Sequence, residues 1–239
     1  MTVSIENLQI KLFADGADLV GMLEMNSNHH IKGLTTNPTL MRKAGVVDYK
    51  KFAQEVLQYI TEKPISFEVF SDDLEEMKRQ AVEIASWGQN VYVKIPVTNT
   101  KGIPTTPVIE FLASRKIKVN VTALMTVEQV STVTSSLDPD VPSYVSVFAG
   151  RIADTGRDPL PIMREALDII ATNKSAELIW ASPRELLNLF QANNIGCHII
   201  TATTDILNKL NNIGKDLNSY SLDTVKMFYN DAKLSNFEI

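Results

Sequence analysis

One rhythm constrains this chain more than any other feature. A short, β-rich, largely apolar run is followed by a turn and a stretch with helical spacing, and the unit recurs along the whole sequence. The runs cover 10–14, 31–35, 65–70, 91–97, 118–124, 144–150, 177–182 and 197–203. Several are almost continuously apolar, as parallel strands covered on both faces are. Between them, Leu74, Met77, Ala81 and Ile84 share one helical face, and Phe52, Val56, Leu57 and Ile60 share another. Thr126 with Gln129, and Ser182 with Glu185, have capping-box spacing. Pro159 and Pro183 stand where a first helical residue would. Eight β/α units within 239 residues predict an α/β chain closed into a single-domain (β/α)8 TIM barrel. The competing arrangement is a doubly wound open sheet, but no G-x-G-x-x-G or P-loop pattern follows the first run. No Pro/Gly/Ser-rich linker interrupts the sequence, so 1–239 reads as one domain with a C-terminal helical extension over 220–239.

Composition excludes several classes. Hydrophobic residues make up 44% and charged residues 21%, which supplies a sizeable core and argues against a disordered chain. The net charge of −5 argues against a basic nucleic-acid-binding domain. The single cysteine, Cys197, can build neither an internal disulfide nor a Cys-rich zinc site. The start of the chain lacks a basic segment followed by a long apolar run, and no stretch reaches membrane-spanning length. A soluble, cytoplasmic protein is expected, with neither nucleic acid nor membrane as partner.

Side chains alternate across a strand, and the alternation here separates two faces. Val91, Val93 and Ile95 oppose Tyr92 and Lys94. Phe67 and Val69 oppose Ser66 and Glu68. Val119 and Val121 oppose Asn120 and Thr122, and Val145 and Val147 oppose Ser146. In a barrel the apolar face meets the helices and the other face points inward. Glu68, Lys94, Thr122 and Ser146 also lie toward the C-terminal ends of their strands, where barrel active sites are built. Asp15 follows the first run and Asn37 the second.

Lys94 is the decisive residue. A lysine inside Val-Tyr-Val-Lys-Ile-Pro-Val is expensive unless it is paired or stands at the barrel mouth. Desolvation disfavours the charged form of an amine, and a neutral amine can form a Schiff base with a carbonyl. A purely structural Lys94–Glu68 ion pair is the plainer reading of those two residues. It leaves Asp15, Asn37, Thr122 and Ser146 without a purpose. A phosphate site is the second signal: Arg151 follows the sixth run, and Arg184 follows the seventh beside an expected helix start. Guanidinium forks and helix N-terminal N–H groups suit a phosphate dianion. Taken singly, each arginine reads as a surface ion pair and Ser182 as an N-cap. Three histidines without ligand spacing argue against a metal site. His29 and His30 are expected in solvent before the second strand, His198 packed, and Cys197 buried and inert.

These residues carry a resemblance. Gly33-Leu34-Thr35-Thr36-Asn37-Pro38, Val93-Lys94-Ile95-Pro96-Val97-Thr98, Asn120-Val121-Thr122-Ala123 and Tyr144-Val145-Ser146-Val147-Phe148-Ala149-Gly150-Arg151 resemble motifs of the transaldolases. The likeness is to the short subfamily that also contains the fructose-6-phosphate aldolases, and it covers nearly the whole chain. The resemblance implies a barrel acting as a class I aldolase, without metal or cofactor. It implies Lys94 as the Schiff-base lysine and Asp15 as the acid/base at the substrate C4 hydroxyl. Glu68 and Thr122 would handle a water during imine formation and hydrolysis. Asn37 and Ser146 would hold a dihydroxyacetone unit, and Arg151, Ser182 and Arg184 the phosphate. The aldolase branch usually has Gln at the position of Glu68, Tyr at Phe148 and Ala at Ser146, so this chain makes the transaldolase-like choices. Gly16 departs from the Thr or Ser common after the aspartate, which bears on the level of activity. The implied reaction transfers dihydroxyacetone from a ketose phosphate to an aldose phosphate in the pentose phosphate pathway. Fructose 6-phosphate aldol cleavage is the alternative, and a non-catalytic phosphosugar-binding barrel is the rival from another class. In the short transaldolases the C-terminal helix reaches a neighbouring subunit. Here Leu222, Val225, Met227, Phe228 and Ala232 recur at roughly helical spacing. A helix packed on its own barrel is the plainer reading of them; the resemblance implies a homo-oligomer, pentameric or decameric.

Overall fold

A computed structural model describes residues 5–235. Eight parallel strands close into a barrel in sequence order: β1 (Lys11–Asp15), β2 (Ile31–Thr35), β3 (Ile65–Glu68), β4 (Val91–Pro96), β5 (Val119–Leu124), β6 (Ser143–Val147), β7 (Ala176–Trp180) and β8 (Ile199–Thr203). The helices are α1 (Leu19–Ser27), α2 (Pro38–Lys43), α3 (Tyr49–Tyr59), α4 (Leu74–Ala85), α5 (Thr106–Ser114), α6 (Val127–Ser136), α7 (Ala149–Ala153), α8 (Leu160–Ile170), α9 (Leu187–Asn194), α10 (Thr204–Leu207) and α11 (Leu217–Leu234). The β8–β1 pairing, from Lys11 opposite Ile199 to Asp15 opposite Thr203, closes the ring and rules out an open sheet.

The alternation along the strands sorts the interior. Outward-facing Val93, Ile95, Val121, Val145 and Val147 are fully buried with Met77, Ala81 and Ile84 of α4, Val130 and Val133 of α6, and Ala166 of α8. Burying each larger aliphatic side chain there contributes about 1.5–3 kcal/mol. Inside the barrel, a separate cluster of Phe13, Tyr92, Tyr144, Ile179 and Ile199 fills the lower half. Tyr92 and Tyr144 stack at 4.1 Å between centroids, and Phe13 meets Tyr144 edge-on at 5.7 Å. Phe13 lies over Gly33 on the neighbouring strand, where an added Cβ would stand 2.5 Å from the ring. Glycine at that position admits the aromatic plug. Above the plug lies a polar layer. The Asn120 amide donates to Ser66 Oγ (3.0 Å) and accepts from Ser146 Oγ (2.7 Å), while the Thr35 and Thr201 hydroxyls meet at 2.6 Å. The lower barrel is therefore sealed, and chemistry has room only at the C-terminal mouth.

Helix starts follow their side chains. Asp73 caps α4 by accepting from the Glu76 N–H at 2.9 Å, and Thr126 with Gln129 forms the expected reciprocal capping box on α6. The expected box at Ser182 and Glu185 does not form. Ser182 adopts the left-handed conformation (φ +56°), and α9 begins only at Leu187. Ser182 bends the chain over Gly150, whose hypothetical Cβ would stand 1.6 Å from the Ser182 carbonyl oxygen. The residue is spent on that crossing rather than on an N-cap, and Pro183 lies ahead of the helix. Pro159 is the N-cap residue of α8, one place before its first helical residue.

Some expected strands overran the barrel. The run 144–150 includes Phe148 and the first residues of α7, because the chain stays buried at Ala149 and Gly150 after the sheet ends. The run at 197 starts before β8 for the same reason, Cys197 being buried in the approach. The C-terminal extension begins earlier than 220. Its helix has no buried residue, and Leu222, Val225, Met227 and Phe228 are exposed, so it is not packed on its own barrel. Residues 236–239 of the expected extension lie outside the described residues. No helix among the described residues is long and apolar enough to cross a membrane.

Candidate active site

A cavity of about 380 Å³ opens at the C-terminal ends of the strands. Asp15, Asn37, Glu68, Lys94, Thr122, Ser146, Phe148, Arg151 and Ser182 all line it. These are nine of the ten residues that the sequence points to, and they come from strands all around the barrel and the segments that follow them.

Lys94 projects from the middle of β4 and is 7% exposed. Its Nζ donates to the Thr36 carbonyl at 2.9 Å and lies 3.5 Å from Glu68 Oε2. Glu68 pairs directly with Lys94 across β3 and β4. Its carboxyl is pushed above the ordinary carboxylate range by burial, against the pull of the Lys94 charge. Asp15 ends β1, with Thr35 Oγ donating to Oδ1 at 2.8 Å and Asn37 Nδ2 to Oδ2 at 3.2 Å. Burial raises the Asp15 pKa as well, opposed by Lys94 and by those two hydrogen bonds. Asn37 also caps α2, its Oδ1 accepting from the Leu40 N–H at 2.9 Å. A single amide thus ties the start of α2 to the aspartate.

Thr122 differs from its neighbours in having no partner. Its hydroxyl is buried and makes no hydrogen bond among the described residues. The next residue, Ala123, sits in the left-handed region at φ +66°, and the β5–β6 register slips between Val121 and Leu124. Such strain at a non-glycine residue costs of order 1–3 kcal/mol. Here it accompanies a buried, unpartnered hydroxyl on a residue that lines the cavity.

At the rim, the Arg151 guanidinium lies 5.6 Å from the Phe148 ring centroid, and Ser182, which crosses the neighbouring Gly150, lines the same cavity. Arg184 does not join them. Its Nε donates to Asp154 Oδ1 at 2.9 Å, and the pair sits outside the lining of the cavity. The bond raises the arginine pKa and lowers that of Asp154.

The structure adds residues that the strand pattern did not single out. Asn120 orients Ser146, and its inward register was visible in that pattern. Thr35 and the Thr36 carbonyl hold Asp15 and Lys94. Tyr49 of α3 accepts the Glu68 N–H at 2.8 Å and donates to the Glu68 carbonyl at 3.1 Å, so it grips the backbone of the glutamate on both sides. Nothing in the spacing of α3 marks Tyr49 for that role. His198 is packed as expected, accepting from the Leu178 N–H at 3.1 Å. Cys197 is buried, with its thiol pushed up to about 12 by desolvation.

An amine beside two desolvated carboxyls, an orphan hydroxyl and a cationic rim suits carbonyl addition, proton transfer and binding of an anionic carbohydrate. Comparison with known proteins agrees. Residues 12–239 match the family described as Transaldolase/Fructose-6-phosphate aldolase. A "Probable transaldolase" from a Thermoanaerobacter species is 35% identical over 199 residues, covering 83% of this chain and 88% of that protein. One of the same description from Methanococcus maripaludis is 32% identical over 204 residues, covering 85% and 90%. Among solved structures, KGPDC from Streptococcus mutans superposes with a TM-score of 0.56 at 9% identity, covering 83% of this chain and 89% of that one, a likeness of fold alone.

Proposed function

The chain belongs to the transaldolase/fructose-6-phosphate aldolase family, and on that premise we propose that it is a transaldolase working through an imine on Lys94. The observation that carries this reading is the setting of Lys94, with its amine 3.5 Å from Glu68 on a cavity wall shared with Asp15 and the unpartnered Thr122 hydroxyl.

In this reading Lys94 passes a proton to Glu68, and its amine adds to the C2 carbonyl of a ketose phosphate such as sedoheptulose 7-phosphate or fructose 6-phosphate. Glu68 gives a proton to the departing hydroxyl through a water held by Thr122, and an iminium forms as water leaves. Asp15 takes the proton of the C4 hydroxyl, and the C3–C4 bond breaks. Its electron pair moves into the iminium to give an enamine, and the aldose phosphate departs. Thr35 and Asn37 keep the aspartate aimed without reorganisation. The enamine then attacks the aldehyde of glyceraldehyde 3-phosphate or erythrose 4-phosphate, and Asp15 returns its proton to the new hydroxyl. Hydrolysis of the iminium regenerates Lys94. Asn37 and Ser146 hold the dihydroxyacetone unit, and Arg151 and Ser182 receive the phosphate. Arg184 adds a second fork only by exchanging Asp154 for the phosphate.

Glu68, Ser146 and Phe148 favour transfer over free cleavage, since no tyrosine hydroxyl stands at Phe148 to serve a water-linked aldolase route. Fructose 6-phosphate turnover with and without erythrose 4-phosphate tests this. Transfer predicts that turnover depends on the acceptor. Equal release of free dihydroxyacetone in both cases would assign the aldolase reaction instead. We assign the enzyme to the cytoplasm and to the pentose phosphate pathway. The uncovered apolar residues of α11 support assembly into a pentameric or decameric homo-oligomer, and a monomer mass by light scattering would refute that.

A further inference from the structure

The opposite end of the barrel carries a cluster with no part in this reaction. Glu6 lies in the short 3-10 turn Ile5–Asn7 ahead of β1, and His29 and His30 form the turn that leads into β2. The fold brings them together although 22 residues separate Glu6 from His29. One ligand atom from each residue lies within 4.8 Å of the others, and His30 Nε2 is 3.6 Å from Glu6 Oε1. The imidazole centroids are 3.8 Å apart, with the rings inclined at 41°.

We propose that Glu6, His29 and His30 form a site for a zinc-type divalent transition metal ion. Zinc takes imidazole nitrogen at about 2.0–2.1 Å and carboxylate oxygen at about 2.0–2.2 Å. Tetrahedral coordination at those lengths sets ligand atoms roughly 3.3–3.5 Å apart, near the separation of His30 and Glu6. The Glu6 side chain is 71% exposed, and drawing the three ligand atoms in from within 4.8 Å of one another takes side-chain rotation at the surface. A water completes the fourth position. Two imidazoles and one carboxylate select zinc, copper or nickel over calcium or magnesium, which prefer oxygen ligands.

The histidine turn is already braced. The Asn28 side chain accepts the His30 N–H at 2.9 Å, and Lys32 Nζ donates to the His29 carbonyl at 2.8 Å. Lys32 shares the adjoining cavity of about 210 Å³ and opposes a second positive charge, which the Glu6 carboxylate offsets. A lone His30–Glu6 ion pair does not account for the second ring beside the first. An ion bound here would pin the segment ahead of β1 to the α1–β2 turn and stabilise the barrel base. It would act far from the catalytic mouth.

The test is calorimetric titration of the full-length, untagged protein with zinc chloride at pH 7.5, with melting curves recorded in parallel. The expected result is one saturable ion per chain and a melting temperature that rises with metal. Binding should weaken about tenfold or more in His29→Gln and in His30→Gln, and fall in wild type at pH 5, where imidazoles are protonated. A His198→Gln control should bind as wild type does. Circular dichroism of each variant separates loss of ligands from loss of fold. If either single variant fails to fold, Glu6→Gln and the pH 5 titration of wild type decide. Saturable binding unchanged in the histidine variants, or no saturable binding in wild type, overturns the proposal.

Discussion

Removal of the Tyr49 hydroxyl isolates how Glu68 is positioned. The β2–β3 ladder runs out where the Thr36 N–H donates to the Ser66 carbonyl at 3.2 Å, because the chain turns into α2 at Asn37. Glu68 would otherwise meet the next rung. Tyr49 Oη takes that place, accepting its N–H at 2.8 Å and donating to its carbonyl at 3.1 Å. The ring is held independently, edge-on to Phe70 at 4.4 Å and to Trp87 at 5.5 Å. Tyr49→Phe therefore deletes two hydrogen bonds and little packing. Each bond is worth about 0.5–1.5 kcal/mol net, more where a main-chain group is left unsatisfied, so the loss is about 2 kcal/mol. In a chain of this size that lowers the melting temperature by roughly 4–8 °C. With Glu68 loosened, kcat should fall several-fold while KM stays near wild type, since the phosphate end is untouched. Thermal melts and steady-state kinetics measure both. A melting temperature within about 1 °C of wild type, with unchanged kcat, would refute the account.

Three more predictions concern the rest of the site. Arg151→Ala should raise KM for fructose 6-phosphate about tenfold or more, as loss of a charge-assisted contact does, whereas Arg184→Ala should change it far less because that side chain is held by Asp154; steady-state KM values decide, and the reverse order would relocate the phosphate. Phe148→Tyr should increase acceptor-independent release of dihydroxyacetone, read by a coupled assay. For pH, Asp15 has its pKa raised by burial, so the folded state binds its proton more tightly than the unfolded chain does. Its contribution to stability is present below about pH 4 and is lost as pH rises through the raised value. Asp15→Asn should thus gain stability relative to wild type between about pH 4 and 7; denaturant melts across that range showing a constant or shrinking gap would contradict it.

The fold was legible because the barrel repeats one simple unit, and the inward face because strand alternation has no other solution when helices cover the outside. The ends of runs were harder, since Phe148, Ala149 and Cys197 remain covered after or before the sheet. Lys94, Glu68, Thr122 and Ser146 could be read because a strand fixes their direction. What escaped were contacts made between distant segments. Tyr49 reaches Glu68 from a helix, Asp154 takes Arg184 from across a loop, and Glu6 meets the histidine pair only once β1 and β2 are side by side. Ser182 misled for a related reason: its side chain suits an N-cap, but close approach to Gly150 dictates its backbone.

The proposed reaction turns on an imine between Lys94 and the substrate. Borohydride reduction of the enzyme with fructose 6-phosphate, followed by peptide mass mapping, tests it most directly. A reduced three-carbon adduct is expected on the peptide carrying Lys94, and none in Lys94→Ala. Unmodified Lys94 in folded protein that still binds the sugar phosphate would contradict it and leave a binding scaffold.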